Sequence, residues 1–178
     1  MRIIGGKHKR RRINPPANIP VRPTTDLAKE SLFNIINNNF DFEAISVLDL
    51  FAGTGNISFE FASRGAEEVI SIETDPKCVK FIRGQAETLL FDSMKVIRDD
   101  AHHFLSICKK KFDIVFADPP YDHKTTDNIH KLVFENDLLD NDGWLIIEHG
   151  AETKLDDLEG LFEKRRYGRV YFSMFAKH

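Results

Sequence analysis

Cysteine is scarce in these 178 residues, and the two present, Cys78 and Cys108, have no second ligand at metal-binding spacing. Free, buried thiols are expected, with no disulfide framework and no bound metal. No stretch approaches the roughly 20 apolar residues that span a bilayer, and the basic start of the chain lacks the apolar segment of a secretion signal. A cytoplasmic protein without a membrane partner is therefore expected. Acids are missing from residues 1 to 24, which carry seven cations: Arg2, Lys7, Lys9, Arg10, Arg11, Arg12 and Arg22. The rest holds 18 bases against 28 acids, a net of −10 hidden behind the overall −3. A basic arm on an acidic body suits a polyanion engaged locally, because phosphate contacts need clustered cations rather than a positive total. Repeats and low-complexity tracts are absent too, and 42% hydrophobic content is enough for one core.

The pattern that remains divides at residue 24. Arg2 to Ile4, Gly5-Gly6 and Arg10 to Ile13 read as a short hairpin with a flexible glycine turn, an arm outside the core. An extended Pro15-Pro16 to Pro23 segment follows. Residues 25 to 178 form the main domain. Thr25 or Asp26 caps a helix whose Ala28, Leu32, Ile35 and Ile36 recur at helical spacing, ending at Asn37-Asn38-Asn39. Short apolar runs then alternate with amphipathic segments: Val47 to Phe51, Val69 to Ile72, Met94 to Ile97, Phe112 to Ala117 and Trp144 to Ile147. Such repeated β-α units predict a parallel sheet covered on both faces. Phe162 to Tyr167 and Val170 to Phe175 are separated only by Gly168 and Arg169, so these two strands must be antiparallel. The expected fold is α/β, three-layered and Rossmann-like: the mostly parallel seven-stranded sheet of class I methyltransferases, with its final antiparallel strand.

Two segments carry chemistry. Asp49-Leu50-Phe51-Ala52-Gly53-Thr54-Gly55 ends the first strand, where glycines let the backbone approach a ligand. Eighteen residues beyond Gly55, Glu73 ends the second strand, the position from which an acid accepts hydrogen bonds from ribose hydroxyls. Asp100-Ala101 follows the third run, where carboxylate and amide can meet an adenine; Asp99 competes for that role. Glu73 and Asp100 also read as helix-capping acids, and Asp49 either faces a ligand ammonium or is a satisfied strand-end acid. Asp118-Pro119-Pro120-Tyr121 closes the fourth run. A base amine is a poor nucleophile, its lone pair delocalised into the ring, and the Asp118 carboxylate and Pro119 carbonyl can draw it toward a tetrahedral geometry while Tyr121 stacks on the base. In isolation each segment is also an ordinary turn. Their order and spacing point to methyl transfer from S-adenosylmethionine to a ring-attached nitrogen. His102 and His103 are read as neighbours without catalytic work, and His149 as a satisfied strand-end histidine.

Arg2-Ile3-Ile4-Gly5-Gly6, Arg22-Pro23-Thr24 leading into Glu30 to Asn34, Asp49 to Gly55, Ser63 to Ala66 and Asp118 to Tyr121 together resemble the bacterial 16S ribosomal RNA guanine-N2 methyltransferase D (RsmD) family over nearly the whole chain. The resemblance implies methylation of the N2 amine of one guanine in small-subunit ribosomal RNA, on an assembling 30S particle; a monomer is expected. It assigns cofactor contacts to Phe51, Ala52, Gly53, Gly55, Glu73 and Asp100, and catalysis to Asp118, Pro119, Pro120 and Tyr121. The chain departs from the family pattern at Asn56-Ile57-Ser58, where a further glycine is expected, and at Tyr121, where relatives often have Phe. Lys7, Lys9, Arg10, Arg11 and Arg12 are assigned to RNA; Arg22 serves RNA or the cofactor carboxylate, and Thr24 the latter or the helix start. Competing readings are another acceptor (a DNA adenine or cytosine, or a protein glutamine), a catalytically silent RNA-binding assembly factor, and an NAD-dependent oxidoreductase. The basic arm speaks against the glutamine, and Ser58 at the third glycine of a dinucleotide fingerprint speaks against NAD.

Overall fold

The structure is a computed structural model that describes residues 1–17, 19, 24–120 and 123–177. Seven strands form one sheet: β1 (Ser46–Leu50), β2 (Glu68–Glu73), β3 (Met94–Arg98), β4 (Phe112–Ala117), β5 (Leu139–His149), β6 (Leu161–Tyr167) and β7 (Val170–Ala176). Their order is β3-β2-β1-β4-β5-β7-β6. The pairs among β1 to β5 are parallel, and β7 runs antiparallel to both β5 and β6. This is the class I methyltransferase sheet expected from the sequence. The fifth apolar run underestimated its strand, which extends back to Leu139 through exposed polar residues.

The helices start where the sequence supplies caps. Thr25 accepts from the Ala28 amide at the head of α1 (Asp26–Asn37), and Asp75 from Lys77 at the head of α3 (Pro76–Thr88), whose Pro76 has no N–H to leave unpaired. The left-handed Gly55 precedes α2 (Asn56–Ser63), Asp100 caps α4 (Ala101–Ile107), and α5 (His123–Glu135) leads into β5. Apolar residues of α1, α2 and α3 pack on one face of the sheet and those of α4 and α5 on the other, which gives three layers with two cores.

The N-terminal hairpin departs from expectation. Arg2 and Arg12 pair across it, but Ile3 and Ile13 are buried in the same core as α1 and α2 rather than lying outside it. Gly5-Gly6 is a close approach and not a flexible turn. A Cβ on Gly6, whose φ is +70°, would sit 1.7 Å from the Ser63 carbonyl oxygen. The chain reverses instead at residues 6–11, where Arg10 takes a φ of 71°. The predicted Pro15 to Pro23 segment lies largely outside the described residues.

Candidate active site

Parallel strands deliver their carboxyl ends to one edge, and the predicted segments meet there. Register pairs Leu50 of β1 with both Ile72 of β2 and Ala117 of β4, so Phe51 stands between Glu73 and Asp118. Phe51, Gly53 and Gly55 all have left-handed backbones, at φ of 60°, 57° and 79°. The glycines serve different ends. A Cβ on Gly53 would find no atom nearer than 3.9 Å, so that side of the turn is open to a ligand. One on Gly55 would lie 2.9 Å from Phe59, so that glycine allows α2 to pack.

Glu73 organises the turn. Its Oε2 accepts from the Gly53 amide at 2.7 Å, and its Oε1 from the Asp75 amide at 2.9 Å and the Thr74 hydroxyl at 3.3 Å. A carboxylate offers about four acceptor sites, so a ribose diol would share this one with the turn and displace the long Thr74 bond. At the next strand end Asp100 caps α4, accepting from the His102 and His103 amides. Asp99 accepts from the Asp100 amide and pairs with the His103 ring at 2.9 Å. Both acids thus have local structural work. Ala101 is buried, and His102 meets Phe51 edge to face at 6.4 Å between ring centres, flanking the turn with two rings.

Asp49 lies buried beneath the turn. It accepts a hydrogen bond from Ser58, which also bonds Ser71 at 2.7 Å. The residue that departs from the family's glycine therefore supplies the partner of a buried acid. Burial pushes the Asp49 carboxyl up to about 7, with Ser58 opposing the rise and Glu73 and Glu148 adding to it. The open glycine turn, the strand-end acids and the ring pair fit an adenosine cofactor bearing a cationic group.

On the other side of Phe51, a cavity of about 710 Å³ opens between Asp118-Pro119-Pro120, the start of α1 and the β6–β7 turn. Pro119 is buried, Asp118 half-buried and Pro120 exposed. Tyr121 and Arg22 lie outside the described residues, as do the side chains of His123 and Lys124. Thr24 lines this cavity, its hydroxyl donating to Glu148 at 2.7 Å, while Thr25 rather than Thr24 caps α1.

Two features escaped the sequence reading. Glu148 ends the apolar run of β5 as Glu73 ends that of β2, so the same strand-end signal marks it. Lys164, Arg165, Arg166 and Arg169 put four cations around the β6–β7 turn, and Arg169 lines the cavity. The expected basic run sits elsewhere. Lys7, Lys9, Arg10, Arg11 and Arg12 are exposed, but Lys7 bonds the Ser63 carbonyl at the far end of α2, about 12 Å from the glycine turn by helix rise, whereas Met1 touches Thr54. His149 is satisfied, as expected: its ring nitrogens meet the Gly150 carbonyl and the Ser173 hydroxyl, and burial holds its pKa below the usual value. Cys78 is buried and Cys108 half-buried, both as free thiols.

The family model described as Conserved hypothetical protein 95 matches residues 1–176. YlbH of Bacillus subtilis is 35% identical over 184 residues, covering 99% of both chains. Ribosomal RNA small subunit methyltransferase D of Buchnera aphidicola subsp. Baizongia pistaciae is 32% identical over 181 residues, 98% of this chain and 91% of that one. The solved structure of yhhF from Escherichia coli superimposes with a TM-score of 0.87 at 28% identity, covering 99% of each chain.

Proposed function

Because the chain belongs to the family described as Conserved hypothetical protein 95, the RsmD family of ribosomal RNA small subunit methyltransferases, we propose that it transfers a methyl group from S-adenosylmethionine to the exocyclic N2 of one guanine in small-subunit ribosomal RNA. The observation that carries this reading is the adjacency of an open glycine turn and an Asp-Pro-Pro loop at neighbouring strand ends, with a cavity on the loop side.

The cofactor would be held by the Phe51 to Gly55 turn, by Glu73 at its ribose, by Asp99, Asp100 and Ala101 near its adenine, and by Asp49 toward its ammonium. When bound it supplies an electrophilic methyl group, whose C–S bonding pair stays with the departing S-adenosylhomocysteine. Asp118 and the Pro119 carbonyl accept the N2 hydrogens, concentrating the lone pair on the nitrogen so that it forms the new C–N bond. Methylated N2 is then acidic, and one of its protons passes to Asp118 or to water. Pro119 and Pro120 hold the loop rigid, and Tyr121 stacks on the base. RNA phosphates would be engaged by Lys7, Lys9, Arg10, Arg11, Arg12 and Arg22, in an arm spanning residues 1–24 beside the methyltransferase domain of 25–178. The β6–β7 cations add a second contact at the cavity rim. The setting is an assembling 30S particle in the cytoplasm, with the enzyme acting as a monomer.

The test is to incubate the protein with radiolabelled S-adenosylmethionine and small subunits from cells lacking it, then analyse the nucleosides. N2-methylguanosine is the expected product. Label in another nucleoside or in protein would replace the acceptor, and no label despite cofactor binding would favour a silent assembly factor.

A further inference from the structure

Glu148 has no part in the mechanism above, yet it stands at the acceptor cavity. Register pairs Ala117 with Ile147, which sets positions 118 and 148 side by side at the ends of adjacent parallel strands. Both acids line the cavity, and Glu148 is only 6% exposed. Its carboxylate is held in place: Thr24, itself buried, donates to Oε2, the Thr24 carbonyl accepts from Asn56, and Asn56 accepts from the buried Lys29 ammonium at 2.8 Å. The backbone of Glu148 is held in the sheet opposite Phe172 of β7. Thr24 thus anchors the carboxylate while the sheet anchors its main chain, in a cavity whose remaining walls include Leu27, Tyr167 and Val170, a setting suited to a flat ring.

Two acceptor-only groups side by side suit a ligand edge that offers two adjacent donors. Among the unmodified bases guanine presents such an edge, N1–H beside the N2 amine. Adenine and cytosine each put a ring-nitrogen lone pair next to their amine, and that lone pair would face a carboxylate. We propose that Glu148 is the specificity-determining residue of the acceptor cavity: it accepts the N1–H of guanine while Asp118 takes the N2 amine, and Thr24 is the residue that positions it. This rests on the guanine-N2 reading and adds how that base is chosen.

The probe is 2-aminopurine, which keeps the 2-amino group but has a lone pair at N1 in place of N1–H. Once the labelled nucleotide has been mapped, small-subunit RNA is ligated with guanine or 2-aminopurine at that nucleotide, assembled into particles and assayed for kcat/KM. The wild-type protein should favour guanine by at least about tenfold, since the N1 lone pair of 2-aminopurine would face the Glu148 carboxylate where guanine presents a donor. Glu148→Gln, whose amide can donate to N1, should lose activity on guanine and bring the ratio toward one, with cofactor affinity unchanged. Equal use of both bases by the wild-type protein overturns the proposal, as does a Glu148→Gln variant that binds cofactor normally and slows both substrates by the same factor. The 2-aminopurine base also lacks the 6-oxygen, so the shift of the ratio on substitution carries the assignment. If Glu148→Gln does not fold, Thr24→Val, which removes the hydroxyl anchoring Glu148, should move the ratio toward one, and a ratio equal to wild type overturns the proposal. Absence of methylation on the guanine particle would instead overturn the guanine-N2 reading itself, so the two failures are separable.

Discussion

At the residue scale the acids of the site differ by burial. Asp118 lines the acceptor cavity, so Asp118→Ala should slow methyl transfer by about 10²- to 10³-fold or more while cofactor affinity, measured calorimetrically, stays within about twofold. Loss of cofactor binding in that variant would undo the assignment. Asp49 is sealed beneath the turn and titrates near 7, above the 3.8 of a free aspartate. Between those two values the folded protein holds a proton that the unfolded chain has released, so this group makes stability fall as pH rises from about 4 to 7. The penalty on reaching pH 8 is on the order of 4 kcal/mol. Asp49→Asn keeps an acceptor for Ser58 and removes the penalty; its Tm should exceed that of wild type at pH 8 and match it near pH 4. If Asp49 also serves the cofactor ammonium, wild-type cofactor affinity should rise from pH 6 to pH 8 and that of the variant stay flat. A flat wild-type profile would leave Asp49 a purely structural acid.

At the element scale the N-terminal hairpin is attached by a buried ion pair. Glu60 of α2 accepts from the Ile4 and Gly5 amides at 2.8 Å and from Arg64 at 2.9 Å, with the Lys29 ammonium 3.5 Å away. Lys29 also donates to the Arg2 carbonyl at 2.6 Å. Burial pushes the Lys29 ammonium below its usual pKa, and Glu60 opposes that shift. Removing one partner of a buried pair strands the other, so Glu60→Ala should cost about 3 kcal/mol or more in denaturant unfolding. It should also open the hairpin to proteolysis at the basic residues 7–12, with the rest of the domain still folded at low temperature. Gly6→Ala should loosen the same hairpin by steric conflict with Ser63. Protease resistance in both variants equal to wild type would mean that Ile3 and Ile13 suffice to hold it.

At the scale of the whole molecule, two of the places where cations cluster on this chain of net charge −3 are proposed to meet RNA. One is the hairpin along α2; the other is the β6–β7 turn beside the cavity. Each neutralised phosphate contributes roughly 0.7 to 0.9 to the slope of log affinity against log salt. Replacing Arg10, Arg11 and Arg12 by Gln should therefore lower that slope for small-subunit RNA by about 2, and replacing Arg165, Arg166 and Arg169 should lower it by a similar amount. The two reductions should add, because the patches lie apart. A variant set with an unchanged slope would show that its patch does not meet RNA.

The sequence by itself determined the strands apart from the polar first half of β5, their parallel run, the closing antiparallel hairpin and the residues of the glycine turn and the Asp-Pro-Pro loop. These are local: apolar runs, caps and turn residues are written within a few positions, and the spacing between Tyr167 and Val170 leaves room for an antiparallel return alone. Glu73 and Asp118 were legible because an acid after a buried strand is conspicuous. Glu148 has the same form and was passed over, since nothing local says that β5 lies beside β4. Only the tertiary structure decided that neighbourhood, together with the placement of Thr24 on Glu148, the packing use of Gly55 and the contact of Gly6 with Ser63. Each joins residues far apart in the chain, and whether a glycine leaves space for a ligand or for a neighbouring helix depends on what folds against it.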